Sequence, residues 1–315
     1  MRANVSREGP DNTGSSAREQ QPALVFARIP RLLRYAATEW LVIGCTWVAL
    51  WYGPAWLYVL GLPILVGRFH ALGVVLHDAC HMDRRVRGAG VWLLQLLAGY
   101  PIATTLQAMR YHHLRHHRFS GMPLDPYLKL GISQSLRRRN VRRLVGLLLV
   151  PFWIVRCFFG TLTLFVPPWR TAYGRVFLQD RSQQDLTDSA EIRECLSAEP
   201  LQAGFFVLAG LAAWAAPIPV LSFYLIPLLL AGAVNVHRVT VEHIHVACAD
   251  ARPETVAATT VTHAGRFWEP LLLFPRNIGF HLVHHLYPRA ALECLPALHA
   301  WYVMREVHEA RRAAT

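Results

Sequence analysis

The chain has 315 residues, of which 53% are hydrophobic and only 17% are charged. This balance excludes an ordinary soluble domain and predicts an integral membrane protein. The net charge of +12 at pH 7 comes almost wholly from arginines whose runs border apolar segments, which favours contact with anionic lipid and argues against nucleic acid as a partner.

Residues 1–28 are mostly polar and carry turn-forming residues at Gly9, Pro10 and Gly14. They lack the long apolar core of a secretory signal peptide. We therefore expect a disordered cytoplasmic tail, followed by a single membrane domain over 29–315.

Two apolar blocks predict an all-α membrane protein with about four spanning helices, since one crossing needs roughly 20 residues. Each block is split by an uncharged turn, "WYGPAW" at 51–56 and "PIP" at 217–219, so each predicts a helical hairpin. Arginines on both flanks of the first block place its ends, and the termini, in the cytoplasm. The predicted spans are 36–51, 55–76, 201–216 and 220–236.

Two further stretches, 91–109 and 144–166, are also apolar enough to be taken for spans. The histidine-rich motifs described next can meet on one face of the membrane only if an even number of crossings separates them. We therefore predict that both stretches lie at the interface or dip into it.

Three histidine-rich motifs share a helical spacing. "HDACH" places His77 and His81 at positions i and i+4, while "HLRHH" and "HLVHH" each place histidines at i, i+3 and i+4. Such positions share one helix face, so their imidazoles can converge on one or two cations. Iron, zinc, copper and nickel all bind neutral imidazole, so the spacing predicts a metal site without naming the metal. The two triplets are His113, His116, His117 and His281, His284, His285.

These histidines allow other interpretations. A lone HxxxH pair is more often a coincidence or a surface feature, but three motifs in a chain poor in polar residues favour ligands. A metal transporter would place its ligands near the bilayer midplane, and a bis-histidine haem site would need histidines on facing spans. Here the motifs lie near the ends of apolar stretches. The six cysteines have no CxxC spacing, which argues against a thiolate site.

Together with "RVTVEH" (238–243) and "NIGFHLVHHLYP" (277–288), the three motifs resemble the membrane fatty acid desaturase family, over about 35–290. That family also includes hydroxylases and ketolases that act on lipids and carotenoids. The resemblance implies four membrane helices beneath a cytoplasmic helical cap that holds two irons. Val239 stands where some members have an asparagine, which leaves the last coordination position open. The metal ligands implied are His77, His81, His113, His116, His117, His243, His281, His284 and His285.

Ligating imidazoles commonly donate their second N–H to a carboxylate or a carbonyl. We expect Asp78, Glu242 and Asn277 to act in this way around the metal, with Arg238 pairing with Glu242. The alternative explanation for these polar residues is the ordinary polarity of helix ends. His112 is expected in this surrounding shell or in solvent, and His245 is an alternative ligand to His243. No catalytic residue beyond the ligands is predicted.

The resemblance implies an O2-dependent oxidoreductase of the inner or plasma membrane that contains two iron ions cycling between Fe2+ and Fe3+, with its metal site on the cytoplasmic side. We expect it to desaturate an acyl chain of a fatty acid or lipid. Hydroxylation or ketolation of a lipid or carotenoid stays open, because these reactions begin with the same removal of hydrogen. The chain carries no G-x-G-x-x-G fingerprint, so a separate electron donor is expected, a ferredoxin or a cytochrome with its reductase. An apolar channel lined by Trp268, the run from Leu271 to Phe274 and the helix before His77 is expected, although 268–275 is equally typical of an interfacial anchor.

Overall fold

The computed structural model describes residues 21–132, 135–263 and 269–313, with side chains up to residue 306. Of the residues described, 71% are helical. The described residues form no β-strand and only two isolated bridges, so the all-α prediction is confirmed. Most of the predicted tail, residues 1–20, and residue 268 of the predicted channel lie outside the described residues.

Helices of very different length follow one another, several of them joined by single 3₁₀ turns. A 3₁₀ turn at Gly146–Leu148 joins the fifth helix to the sixth, and a π turn at Leu221–Leu225 joins the ninth to the tenth. In chain order they are α1 (Ile29–Tyr52), α2 (Leu57–Cys80), α3 (Ala89–Ala98), α4 (Leu106–Arg118), α5 (Leu136–Val145), α6 (Leu149–Thr163), α7 (Arg170–Phe177), α8 (Ala190–Ala215), α9 (Pro217–Val220), α10 (Ile226–Val241), α11 (Pro253–Thr259), α12 (Glu269–Leu272), α13 (His281–Leu286) and α14 (Leu295–Ala313).

Four helical stretches of the described chain are long and apolar enough to cross a membrane. One of them runs through α5 and α6, and another through α9 and α10. The helix pair α3 and α4 passes the same test together, but it is bent by 78°, as in a broken span or a re-entrant loop. The four stretches are Leu57–Cys80, Leu136–Thr163, Ala190–Ala215 and Pro217–Val241.

The predicted spans overlap helical stretches that are longer than predicted. The predicted span 36–51 lies in α1, which is not among the four candidate spans, and 201–216 covers only the second half of α8. Helix α8 begins at Ala190 because the Ser189 hydroxyl accepts a hydrogen bond from the Ile192 N–H, a common N-cap. The bilayer crossings themselves stay predictions.

Glu39 of α1 is buried between two arginines of other segments. Arg68 of α2 donates Nη1–H to its carboxylate at 2.8 Å, and Arg276 donates Nε–H at 2.8 Å. The Arg276 guanidinium also lies 4.1 Å from the centre of the Tyr35 ring. This cluster ties α1 and α2 to the segment that leads into α13.

Gly67 marks the closest approach of α2 to the segment 271–272. A Cβ at Gly67 would overlap the Leu271 carbonyl oxygen, whereas a Cβ at Gly44 of α1 would meet nothing within 4 Å. We expect Gly67→Ala to destabilise the fold by about 1–3 kcal/mol, because backbone must move to admit the methyl group. Thermal unfolding in detergent measures this, with Gly44→Ala as the matched control. Equal unfolding midpoints for the two variants would contradict the packing.

A charged pair is fully buried between α6 and α8. Arg156 Nε lies 3.0 Å from Glu199 Oε1, and both side chains are 0% exposed. Arg156 also donates to Gln202 Oε1 at 2.8 Å, and the Tyr173 hydroxyl donates to Glu199. Such a pair survives in an apolar setting because each charge is matched and hydrogen-bonded.

Candidate metal centre

The first histidine motif lies at the end of α2. His77 is in the last turn of the helix, and His81 is its C-cap residue. Both positions follow a buried apolar run, so the two imidazoles emerge together where the helix ends. His77 is buried, and its ring centroid lies 5.5 Å from that of His81.

The second motif occupies the last turns of α4. This helix begins at Leu106, where the Thr105 hydroxyl accepts a hydrogen bond from the Ala108 N–H. The i, i+3, i+4 spacing then places His113, His116 and His117 on one face, as predicted.

The third motif forms α13, a helix of six residues. Two consecutive residues in the left-handed region precede it, Arg276 at φ 53° and Asn277 at φ 66°. Arg276 is held by Glu39, and the Asn277 amide donates to the Leu292 carbonyl. These side-chain contacts hold the two residues in an energetically unfavourable backbone conformation. That conformation turns the chain toward the other histidines.

His243 reaches the same place from α10. The chain leaves this helix after Val241, and His243 forms an isolated antiparallel bridge with Thr260. The bridge holds the residue in place two positions beyond the helix end.

All nine predicted histidines converge in two groups. Within each group, the candidate ligand nitrogens lie within 4.8 Å of one another. The first group contains His77, His81, His113, His117 and His284, and the second contains His116, His243, His281 and His285.

The Nε2 atoms of each group face one another. In the first group, His113 Nε2 lies 2.9 Å from His81 Nε2 and 3.0 Å from His117 Nε2. In the second, His281 Nε2 lies 3.0 Å from His243 Nε2 and 3.2 Å from His285 Nε2. Such proximity of like ring nitrogens is the arrangement of donors around a cation.

Electrostatics favour the neutral imidazole, the form that binds metals. Burial, reinforced by neighbouring histidines, lowers the pKa of His243 and His285 well below the usual value. The same causes lower the pKa of His281 and of His284. The buried Nδ1 atoms of several of these rings have no hydrogen-bond partner among the described residues.

Asp125 is a functional residue that sequence reasoning missed. Its Oδ1 accepts a hydrogen bond from His116 Nδ1 at 2.8 Å, and both side chains are buried. Burial would raise the pKa of Asp125, but His116 and the N–H groups of Gly121 and Tyr127 outweigh it and hold the pKa below its usual value. The hydrogen bond to Asp125 fixes the tautomer of His116 and directs its Nε2 into the second group.

Of the residues predicted to surround the metal, Arg238 and Glu242 lie beside the histidines, whereas Asp78 and Asn277 contact the segment after α13. Glu242 pairs with Arg238 through both carboxylate oxygens, and Glu242 Oε2 lies 3.6 Å from His281 Nε2. Burial raises the pKa of Glu242 to about 7 against the opposing effect of Arg238. Asp78 and Asn277 instead bind the backbone of Leu292, which anchors the segment after α13.

His112 and His245 lie beside the two groups without belonging to either. The His112 ring shares a hydrogen bond of 2.7 Å with the Tyr127 hydroxyl, and the Tyr127 ring stacks on His116 with centroids 4.4 Å apart. The His245 ring lies 6.3 Å from that of His243. His112 is therefore part of the packing around the site.

A cavity leads from the histidines into the apolar interior. Its walls include His77, His113, His243 and His281 at one end, and Phe69 of α2 deeper inside. The helix before His77 lines it as expected, but none of 271–274 is among the described residues of its wall. The carbonyls of Leu271 and Leu272 instead bind Arg68 and His70 on α2.

Comparison with known proteins gives one family. The family model described as fatty acid desaturase matches residues 54–314. No curated protein matches the chain.

Proposed function

Because the chain belongs to the fatty acid desaturase family, we propose that it is a membrane di-iron enzyme that uses O2 to desaturate an acyl chain of a fatty acid or lipid. Family membership makes it an oxidoreductase and a membrane protein, which argues against a metal transporter. A separate electron donor, a ferredoxin or a cytochrome with its reductase, completes the proposal.

The two histidine groups are the observation that carries the proposal. A cation in the first group would have five imidazoles available, and one in the second group would have four. This donor set of nitrogens without thiolates suits iron. We propose that all nine histidines are ligands, including His243, whose nitrogen lies within the second group. His245 then has no ligand role.

The residues around these ligands hold and shield them. Asp125 keeps His116 in one tautomer, and Glu242, paired with Arg238, lies beside the Nε2 atom of His281. Bound iron would supply the oxidising chemistry with O2, by removing hydrogen from an unactivated C–H bond. The apolar wall of the cavity would keep water away from that bond and fix the chain of the substrate.

The convergence of the motifs also supports a topology. His81 and His113 belong to one group, so an even number of crossings must separate them. We propose that α3 and α4, bent by 78° at their break, enter the membrane and return on the same side. This agrees with the interfacial position predicted for 91–109.

The same reasoning applies to the three candidate spans between His117 and His243. Arg115 of α4 donates Nη2–H to Glu191 at 2.7 Å, so the start of α8 lies beside the second motif. The stretch Leu136–Thr163 therefore begins and ends on that side, and we propose that it lies at the interface. Four crossings remain, α1, α2, α8 and the stretch through α9 and α10, which form two hairpins with the metal site and both termini in the cytoplasm.

The direct test combines metal analysis with product analysis. Purified protein should contain two irons per chain and show no haem absorption. Lipids from a host that expresses the chain should then include products lighter by two hydrogens. Products heavier by one oxygen would instead establish a hydroxylase. Iron-free protein that makes neither product would overturn the proposal.

Asp125→Asn should weaken iron binding by about 10–100-fold, because the substitution removes the charge that supports His116. The measurement is iron retention during stepwise chelation of the purified protein. Asp185→Asn is the matched control, since Asp185 is an exposed carboxylate that binds Thr171 and Thr187. Equal retention by the two variants would show that Asp125 does not support the metal site.

A further inference from the structure

Besides Arg238, which is paired with Glu242, two cationic side chains line the cavity that begins at the histidines. Lys129 lies on the loop after α4 and is the only lysine among the 315 residues of the chain. Arg142 lies on α5 and is held by one hydrogen bond from its Nε to the Thr240 hydroxyl at 3.1 Å. Both side chains are half-buried.

The positive charge of these two side chains is not neutralised by nearby carboxylates. Among the ion pairs of the described residues, none involves Lys129 or Arg142. The acid that acts on the charge of Lys129 is Asp125, which is already bonded to His116. Burial and the guanidinium groups of Arg181 and Arg142 lower the pKa of Lys129 to about 8, which leaves it a cation at pH 7.

The one carboxylate among the described residues of the cavity wall is also engaged. Glu242 is bound by Arg238 through two hydrogen bonds, at 3.0 Å and 2.8 Å. Two half-buried cations therefore face the cavity with no carboxylate left for them on its described wall. Partial burial of two unneutralised cations costs free energy, and charge-assisted hydrogen bonds to a bound anion would offset that cost.

Much of the remaining cavity wall is apolar. Beyond the histidines its wall includes Phe69, Ile102, Val150, Trp153 and Leu228. These side chains come from α2, the turn after α3, α6 and α10, so the apolar part runs between helical stretches that are apolar enough to enter a membrane. A ligand that fits both parts has an anionic head and a long apolar tail.

We propose that Lys129 and Arg142 bind the anionic head group of the substrate, a carboxylate or a phosphate, while its chain extends past the histidines toward Trp153. This proposal rests on the proposed oxidation and defines its substrate class as anionic amphiphiles with a single chain. The distance from the cationic pair to the histidines would then decide which carbon of the chain is oxidised. A carotenoid, which has no anionic head, would gain nothing from the pair.

Binding of three ligands of equal chain length tests the proposal on the purified full-length protein. The ligands are hexadecanoic acid, hexadecyl phosphate and hexadecanol, in radiolabelled form. The wild type should bind at least one of the anions about 10-fold or more tightly than the alcohol, as expected for charge-assisted hydrogen bonds. The anion with the larger advantage identifies the head group.

Lys129→Gln and Arg142→Gln should each reduce the preference for the anion over hexadecanol without weakening the binding of hexadecanol. Lys129→Arg should retain it, because the charge is kept. Arg143→Gln is the matched control, since Arg143 is exposed and binds His237 and Asn140 outside the cavity wall. Equal binding of acid, phosphate and alcohol by the wild type, or an unchanged advantage in both glutamine variants, would overturn the proposal.

Product analysis separates this proposal from the proposed function. If all three ligands are oxidised and bound equally well, the head-group proposal is wrong and the proposed enzymatic function is supported. If the anions bind through Lys129 and Arg142 but no ligand is oxidised by the reduced iron-loaded protein, the head-group proposal is supported and the proposed enzymatic function is wrong.

Discussion

Replacement of His284 by alanine is expected to abolish product formation and to lower the iron content below two per chain. His284 belongs to the group of five histidines, and its Nε2 lies 3.1 Å from His117 Nε2. Loss of a residue that only supports a ligand costs about 10–100-fold in metal affinity or activity, so loss of the ligand itself should cost at least about 100-fold. Iron per chain and the amount of oxidised lipid are the two measurements.

The matched control for this variant is His237→Ala. His237 is also a histidine near the site, but it lies outside both groups and accepts a hydrogen bond from Arg143 Nε at 3.0 Å. The control should keep its iron and its activity. If His284→Ala retained two irons and full activity, the assignment of the first group as a metal site would be wrong.

Arg156→Met is expected to destabilise the protein by about 3–5 kcal/mol, because it leaves the Glu199 carboxylate buried without its partner. The substitution also removes the hydrogen bond to Gln202. The midpoint of thermal unfolding in detergent measures the effect. The exposed Arg87→Met is the control, since the same change of residue there removes no buried partner.

The double variant Arg156→Met/Glu199→Met tests the cause of this loss. With both charges removed, most of the stability should return, since a buried ion pair is commonly replaceable by apolar side chains at little cost. A double variant as unstable as the single one would show that packing, and not the stranded charge, determines the effect.

The helical spacing of the histidines made their shared faces predictable. His113, His116 and His117 lie on one face of α4 because the spacing i, i+3, i+4 follows the helical repeat. Their division between two groups could not be predicted, since it depends on where α2, α10 and α13 meet. Asp125 was missed for the same reason, because its loop folds back onto α4 only in three dimensions.

The lengths of the helices were less predictable than their positions. Helix α8 begins well before the predicted span 201–216. Glu199 lowers the hydropathy of the first half of this helix, so the predicted span starts only after it. In the structure, Arg156 neutralises that charge. In the same way, "RRRNVRR" at 137–143 hides the start of the continuous helical stretch Leu136–Thr163. A sequence shows each charge but not its partner.

The unequal division of the histidines, five in one group and four in the other, would make the two proposed cation positions chemically distinct. The position with more imidazole donors should fill first as iron is titrated into the metal-free protein, so loading should proceed in two resolvable steps. A Mössbauer spectrum of the fully loaded diferrous protein should then contain two quadrupole doublets of equal area and not a single one.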